Sequence, residues 1–129
     1  MTEEPLVLIV EDNERNLKLA RDVLQVKGFR TLSAATAEDG IVLARRERPD
    51  VVLMDIQLPG MDGIAALKAL RASGDTSAIP VIAFTASVMK EDRDRFDAAG
   101  FDGRILKPID IRTFPDEVRA LATRGRRAR

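Results

Sequence analysis

Five short apolar runs, separated by stretches long enough for helices, constrain this chain more than any other feature. The runs are LVLIV (6–10), TLSA (31–34), VVLM (51–54), VIAF (81–84) and a weaker RIL (104–106). A strand with one face in water alternates apolar and polar residues. A parallel strand covered by helices on both faces reads as continuously apolar, as VVLM does. Runs of this kind alternating with helical stretches imply βαβ crossovers. The expected fold is therefore α/β: a doubly wound, five-stranded parallel sheet in the flavodoxin-like order 2-1-3-4-5, with helices on both faces.

The intervening stretches carry helical spacing. NLKLARDVLQVKG places Leu17, Ala20, Val23 or Leu24 and Lys27 on one face, with Gly28 as the stop. AEDGIVLARRE offers Ile41, Leu43 and Ala44, and GIAALKALRASG offers Ile64, Ala66, Leu67 and Leu70 before Gly74. TFPDEVRALA has Thr113 as the expected N-cap, Pro115 in the first turn and Asp116 three residues after the cap. SVMKEDRDRFDAAG differs. Met89 and Phe96 are expected to face the core, but Asp92 and Arg93 stand where the apolar stripe should continue. This fourth helix is expected to be weakly anchored and the element most prone to move.

At 129 residues the chain is sized for one domain, and 45% hydrophobic residues are enough for a core without disulfides or a structural metal. The absence of Cys and His excludes thiolate chemistry, imidazole acid–base catalysis and imidazole metal ligation. Lys+Arg and Asp+Glu balance at 21 each, but TRGRRAR at the end holds four of the arginines. Residues 1–123 carry 17 basic and 21 acidic groups, so nucleic acid is not an expected partner of the body. The expected division is a domain over 5–122 and a frayed, flexible basic tail over 123–129. MTEEP followed by LVLIV is too short for a signal peptide or a membrane span, so the expected location is cytoplasmic.

In a parallel sheet the residues just beyond each strand gather along one edge, where ligands bind. The first run ends in Glu11 and Asp12, the third in Asp55, the fourth in Thr85 and the fifth in Lys107. Each has an ordinary reading: carboxylates favour helix starts, and a lysine before proline is commonly a surface residue. The combination is the informative fact, because the strand order brings all of them to one pocket. Three carboxylates repel one another and one lysine offsets only part of that. A divalent cation would relieve the remainder, and oxygen-only ligands point to Mg²⁺ or Mn²⁺. Such a pocket suits a phosphoryl group, with Asp55 as nucleophile, Lys107 neutralising its oxygens and Thr85 donating a hydrogen bond.

The motifs LIVEDNERN, VVLMDIQLPGMDG, IPVIAFTA and ILKP, spanning residues 6 to about 122, resemble those of response-regulator receiver domains. The likeness is to the single-domain receivers of the chemotaxis and cell-division-control type. The resemblance implies Asp55 as phosphoacceptor and Glu11 and Asp12 as the acidic pair that holds the metal. It also implies Gln57 as a backbone-carbonyl ligand, Thr85 as the switch hydroxyl and Ala86 as its small neighbour. Lys107 is implied as the site lysine, preceding a cis bond to Pro108. It implies a phosphohistidine donor, either a sensor histidine kinase or a histidine phosphotransfer protein. The chain would be a signalling phosphoacceptor, not a turnover enzyme.

One position departs from the family pattern. Three residues before Lys107, where an inward-swinging aromatic is usual, the chain has Arg104. A guanidinium would reach an acid on the fourth helix or stay in solvent. Switching is then expected to rely on Thr85 and the fourth helix. No output domain is expected after Ala122. The signal should therefore leave through residues 88–122 to an unnamed downstream protein, from a monomer or a phosphorylation-promoted dimer. A Mg²⁺-dependent aspartate phosphohydrolase would instead place paired aspartates, separated by one residue, after the first strand. A nucleotide-binding domain would need a glycine-rich phosphate loop, and neither G-x-G-x-x-G nor G-x-x-x-x-G-K follows any run. A phosphorylation-independent, receiver-like scaffold is the third rival.

Overall fold

The computed structural model describes residues 4–58, 60–86 and 89–128, with side chains described through 123. Five strands and five helices alternate strictly: β1 (Leu6–Val10), α1 (Glu14–Val26), β2 (Arg30–Ala34), α2 (Ala37–Glu47), β3 (Val51–Asp55), α3 (Gly63–Ala72), β4 (Val81–Thr85), α4 (Lys90–Ala99), β5 (Gly103–Leu106) and α5 (Phe114–Ala128). All strand pairs are parallel, and the sheet order is β2-β1-β3-β4-β5. The expected class and strand order are both present.

The strand side chains alternate between two cores. Leu8, Val10, Val52, Met54, Val81 and Ala83 pack with α2, α3 and α4. Val7, Ile9, Val51, Leu53, Ile82, Phe84 and Ile105 pack with α1 and α5. The three interior strands carry uninterrupted apolar runs because both faces are covered; β3 and β4 are buried at every residue, including Asp55 and Thr85 at their ends. The edge strands β2 and β5 are only partly buried, which accounts for their weaker sequence signal.

Local chemistry sets the helix ends. Asn13, Thr36 and Asp62 cap α1, α2 and α3 by accepting from the backbone N–H three residues on, at 3.0, 3.1 and 2.9 Å. Gly28 and Gly100 follow α1 and α4 with φ of +91° and +101°, where glycine carries no Cβ penalty. α3 ends at Ala72, two residues before the expected Gly74, because the Ser73 cap is already extended. Thr113 directly precedes α5, and its carbonyl accepts the Glu117 N–H at 3.0 Å. α5 continues past Ala122 to Ala128, into the segment set apart above as a tail.

α4 is the exception to this packing. Only Phe96 is buried among its ten residues. Met89, expected to face the core, is 59% exposed, so the two-residue anchor is reduced to one. Met89 is the N-cap, with extended backbone, so the helical stripe does not govern it. Phe96 packs edge-on against Phe101, with centroids 6.2 Å apart. No helix among the described residues is long and apolar enough to cross a membrane.

Candidate functional site

The carboxyl ends of β1, β3 and β4 and the segment after β5 meet at one edge of the sheet. Lys107 sits at the centre of the charges: its Nζ lies 2.9 Å from Glu11 Oε1 and 3.3 Å from Asp55 Oδ1. Residues 96 apart in sequence are thereby joined. Glu11 and Asp55 are nearly enclosed, with side chains 1% and 5% exposed, whereas Asp12 is exposed at the mouth. Among the described residues, Glu11, Asp12 and Asp55 form a group whose carboxylate oxygens lie within 4.8 Å of one another.

Backbone groups orient the acids. The Gln57 N–H donates to Asp55 Oδ1 at 3.0 Å, and the Asn13 N–H donates to Glu11 Oε2 at 3.1 Å. The Lys107 N–H donates to the Thr85 carbonyl at 2.8 Å, fixing the lysine's departure from β5. The Lys107–Pro108 peptide bond is cis. Asp55, Ile56, Gln57, Thr85, Ala86 and Lys107 line a small cavity of about 60 Å³. Larger grooves exist, including one of about 270 Å³ beside Arg104 and Phe114, but its lining includes none of Glu11, Asp12, Asp55 and Lys107. The sequence-predicted residues Glu11, Asp12, Asp55, Gln57, Thr85, Ala86 and Lys107 therefore share one site.

Burial pushes the Glu11 carboxyl above the ordinary carboxylate value, and the adjacent Asp55 carboxyl acts in the same direction. Lys107 and the Asn13 N–H oppose the shift. Two buried acids served by one ammonium leave negative charge that a hard cation would neutralise. An all-oxygen donor set fits Mg²⁺.

Arg104 lies apart from the cavity. Its Nη1 donates to Asp97 Oδ1 of α4 at 2.8 Å, so of the two outcomes expected for this guanidinium the structure has the acid on the fourth helix. Three contributors escaped the sequence reading. Asn13 both caps α1 and holds Glu11. A Cβ on Gly63 would stand 2.6 Å from the Asp55 carbonyl oxygen. The Phe84 ring lies beneath Lys107, with Nζ 5.1 Å from its centroid. Strand parity carries a signal for the last: Phe84 is two residues after Ile82, and Lys107 two after Ile105, on the same face.

Residues 7–119 match the response regulator receiver domain family. The chain is a receiver domain. It is 41% identical over 114 residues to the polar-differentiation response regulator DivK of Brucella anthropi, covering 88% of this chain and 93% of that one. The chemotaxis response regulator CheY4 of Vibrio cholerae shares its fold, at a TM-score of 0.85 and 24% identity, over 92% of this chain and 98% of that one. The receiver domain of the sensor histidine kinase PA1611 from Pseudomonas aeruginosa is similar at a TM-score of 0.81 and 30% identity. That match covers 95% of this chain and 97% of the other, whose structure has a magnesium ion coordinated in the active-site cleft. The receiver family places this chain in two-component signalling, with an acidic pocket compatible with Mg²⁺ and with aspartate phosphorylation.

Proposed function

We propose that this receiver accepts a phosphoryl group on Asp55 from a phosphohistidine of a sensor histidine kinase or a histidine phosphotransfer protein. The observation that carries the reading is the triangle of Lys107, Glu11 and Asp55, with 2.9 and 3.3 Å contacts beside a third carboxylate, Asp12. A structural ion pair needs one acid; three acids around one ammonium suit a site that takes up a cation and an anion together.

Glu11, Asp12, Asp55 and the Gln57 carbonyl would hold Mg²⁺ (or Mn²⁺), which when bound neutralises charge on the phosphoryl oxygens. An Asp55 carboxylate oxygen attacks phosphorus in line, forming an O–P bond while the donor P–N bond breaks. The electron pair leaves on the imidazole, which takes up a proton. The Gln57 N–H holds the Asp55 carboxylate in its orientation. Lys107 and the Thr85 hydroxyl serve the transferred oxygens, and the small Ala86 keeps the entrance open. The resulting anhydride hydrolyses slowly in the same site, so the protein is a phosphoacceptor without turnover of small esters.

The signal leaves through residues 88–122, by Thr85 and a change in α4, to a downstream protein. The ion pair Arg104–Asp97 stands where the aromatic toggle would act. The functional unit spans 5–122 in the cytoplasm, as a monomer or a phosphorylation-promoted dimer, followed by the basic segment 123–129, of which 123–128 continue α5.

The test is intact mass after incubation with acetyl phosphate, with Mg²⁺ or with EDTA, on wild type and Asp55→Asn. One phosphoryl group, dependent on Mg²⁺ and absent from the variant, is expected. No adduct from acetyl phosphate or from a phosphohistidine donor, while Mg²⁺ demonstrably binds, would favour a phosphorylation-independent scaffold.

A further inference from the structure

We propose that Phe84 is a positioning residue for Lys107, its ring face fixing the ammonium when the carboxylates around it are otherwise engaged. The inference rests on the phosphoacceptor reading above. Among the described residues, Lys107 Nζ lies 2.9 Å from Glu11 Oε1, 3.3 Å from Asp55 Oδ1 and 5.1 Å from the Phe84 centroid. The first two are groups that a cation and a phosphoryl group draw on. Once they are committed, each attracts the ammonium less. The ring is neutral, ligates neither metal nor phosphate, and keeps its attraction for a cation over its face throughout.

Phe84 is well held for this task. It is 1% exposed and stacks on Phe114, with centroids 6.3 Å apart and planes 16° from parallel. Its residue pairs with Asp55 across β3 and β4, and its carbonyl accepts the Ile56 N–H at 3.4 Å. The ring is thus tied to the strand that carries the phosphoacceptor. Lys107 is tied to the other side of β4, through the Thr85 carbonyl. One strand sets the spacing between nucleophile and ammonium, and the ring sets the height of the ammonium above it.

The alternative is that Phe84 only fills the core between the sheet and α5. A leucine there would keep most of the apolar volume and lose the π-face. Removing the aromatic from Phe114 disturbs the same core but leaves in place the Phe84 ring that Lys107 faces.

The experiment measures the rate of aspartyl-phosphate formation from acetyl phosphate at saturating Mg²⁺, together with the NMR shifts of the Lys107 Hε protons. The variants are Phe84→Leu, Phe114→Leu and, should Phe84→Leu fail to fold, Phe84→Met. Replacing Phe84 is expected to slow phosphorylation about five- to tenfold, the size of a partly desolvated cation–π contact. It should also abolish an upfield ring-current shift of Lys107 Hε, while Phe114→Leu stays within about twofold of wild type. Equal slowing in both variants, or wild-type rates without the Phe84 ring, would reduce Phe84 to core filling. If the wild type itself takes no phosphoryl group, the phosphoacceptor reading fails separately. The Phe84 proposal then stands or falls on whether the ring-current shift persists in Mg²⁺-loaded wild type.

Discussion

Arg104 of β5 donates to Asp97 of α4 at 2.8 Å, tying an edge strand to the least buried helix of the fold. The Asp97 side chain is 65% exposed, so the pair contributes little to global stability. Its effect is local, on the position of α4. Asp97→Asn is expected to raise amide hydrogen exchange in residues 90–99 while shifting the urea midpoint hardly at all. High salt should mimic it. Unchanged exchange in α4 would show that the Arg104–Asp97 pair does not position the helix.

The raised Glu11 pKa has a definite sign. A carboxyl whose folded value lies above its unfolded one contributes stability fully below the ordinary value of 4.5, and that contribution is lost as pH rises through the folded value. Metal-free protein therefore pays a penalty for ionised Glu11 at neutral pH, which Mg²⁺ relieves. Calorimetric titration should show Mg²⁺ affinity falling as pH is lowered through the Glu11 range, with protons released on binding. An affinity that stays flat as pH is lowered to the ordinary carboxylate value of 4.5 would place the coupling elsewhere.

Gly63 is expected to be intolerant of any side chain. A Cβ there meets the Asp55 carbonyl oxygen at 2.6 Å and the Ile56 Cα at 3.0 Å, both backbone atoms that cannot rotate aside. Gly63→Ala should cost roughly 1–3 kcal/mol and slow Asp55 phosphorylation. Gly74→Ala is the matched control. Nothing lies within 4 Å of its Cβ, so it should be neutral or stabilising by about 0.5 kcal/mol in the same denaturation series.

Arg71 joins three segments. Nη1 donates to the carbonyls of Ser77 and Ile79 at 3.2 and 2.8 Å, and Nη2 donates to Gly100 O and Asp102 Oδ2 at 3.4 and 2.7 Å. Asp102 in turn accepts the Val81 N–H at 2.8 Å. Arg71→Met keeps the stem and removes the donors, and is expected to cost about 2 kcal/mol. A midpoint shift under a quarter of that would mean water replaces the guanidinium without loss.

The sheet was legible because burial on both faces writes an uninterrupted apolar run, as at Val51–Met54 and Val81–Phe84. The signal weakened at the edges. β2 begins at Arg30, whose exposed side chain conceals a backbone in register with Leu6. The acids and Lys107 were legible through topology alone, since strand order brings together ends that sequence separates. Met89 was misplaced because an apolar residue at a helix start matches the stripe by spacing, although it stands at the N-cap, outside the helix, and is exposed. Phe84 was hidden for the opposite reason: an aromatic inside an apolar run reads as core, and only its neighbour across the sheet gives it a second task.

The ends of α4 are held unequally. Its C-terminal side is gripped by Phe96 against Phe101, by Arg71 on the Gly100 carbonyl and by Arg104 on Asp97. At the other end the N-cap position is Met89, which supplies no side-chain capping bond, four residues beyond Thr85 in the chain. Ten residues make a rod about 15 Å long. Pivoting at the gripped end, a tilt of about 10° sweeps the Met89 end through about 2.6 Å. On the phosphoacceptor reading proposed above, a small displacement beside Thr85 would be geared up there into one that a docking protein can read. Met89, 59% exposed, would be the pointer on that dial.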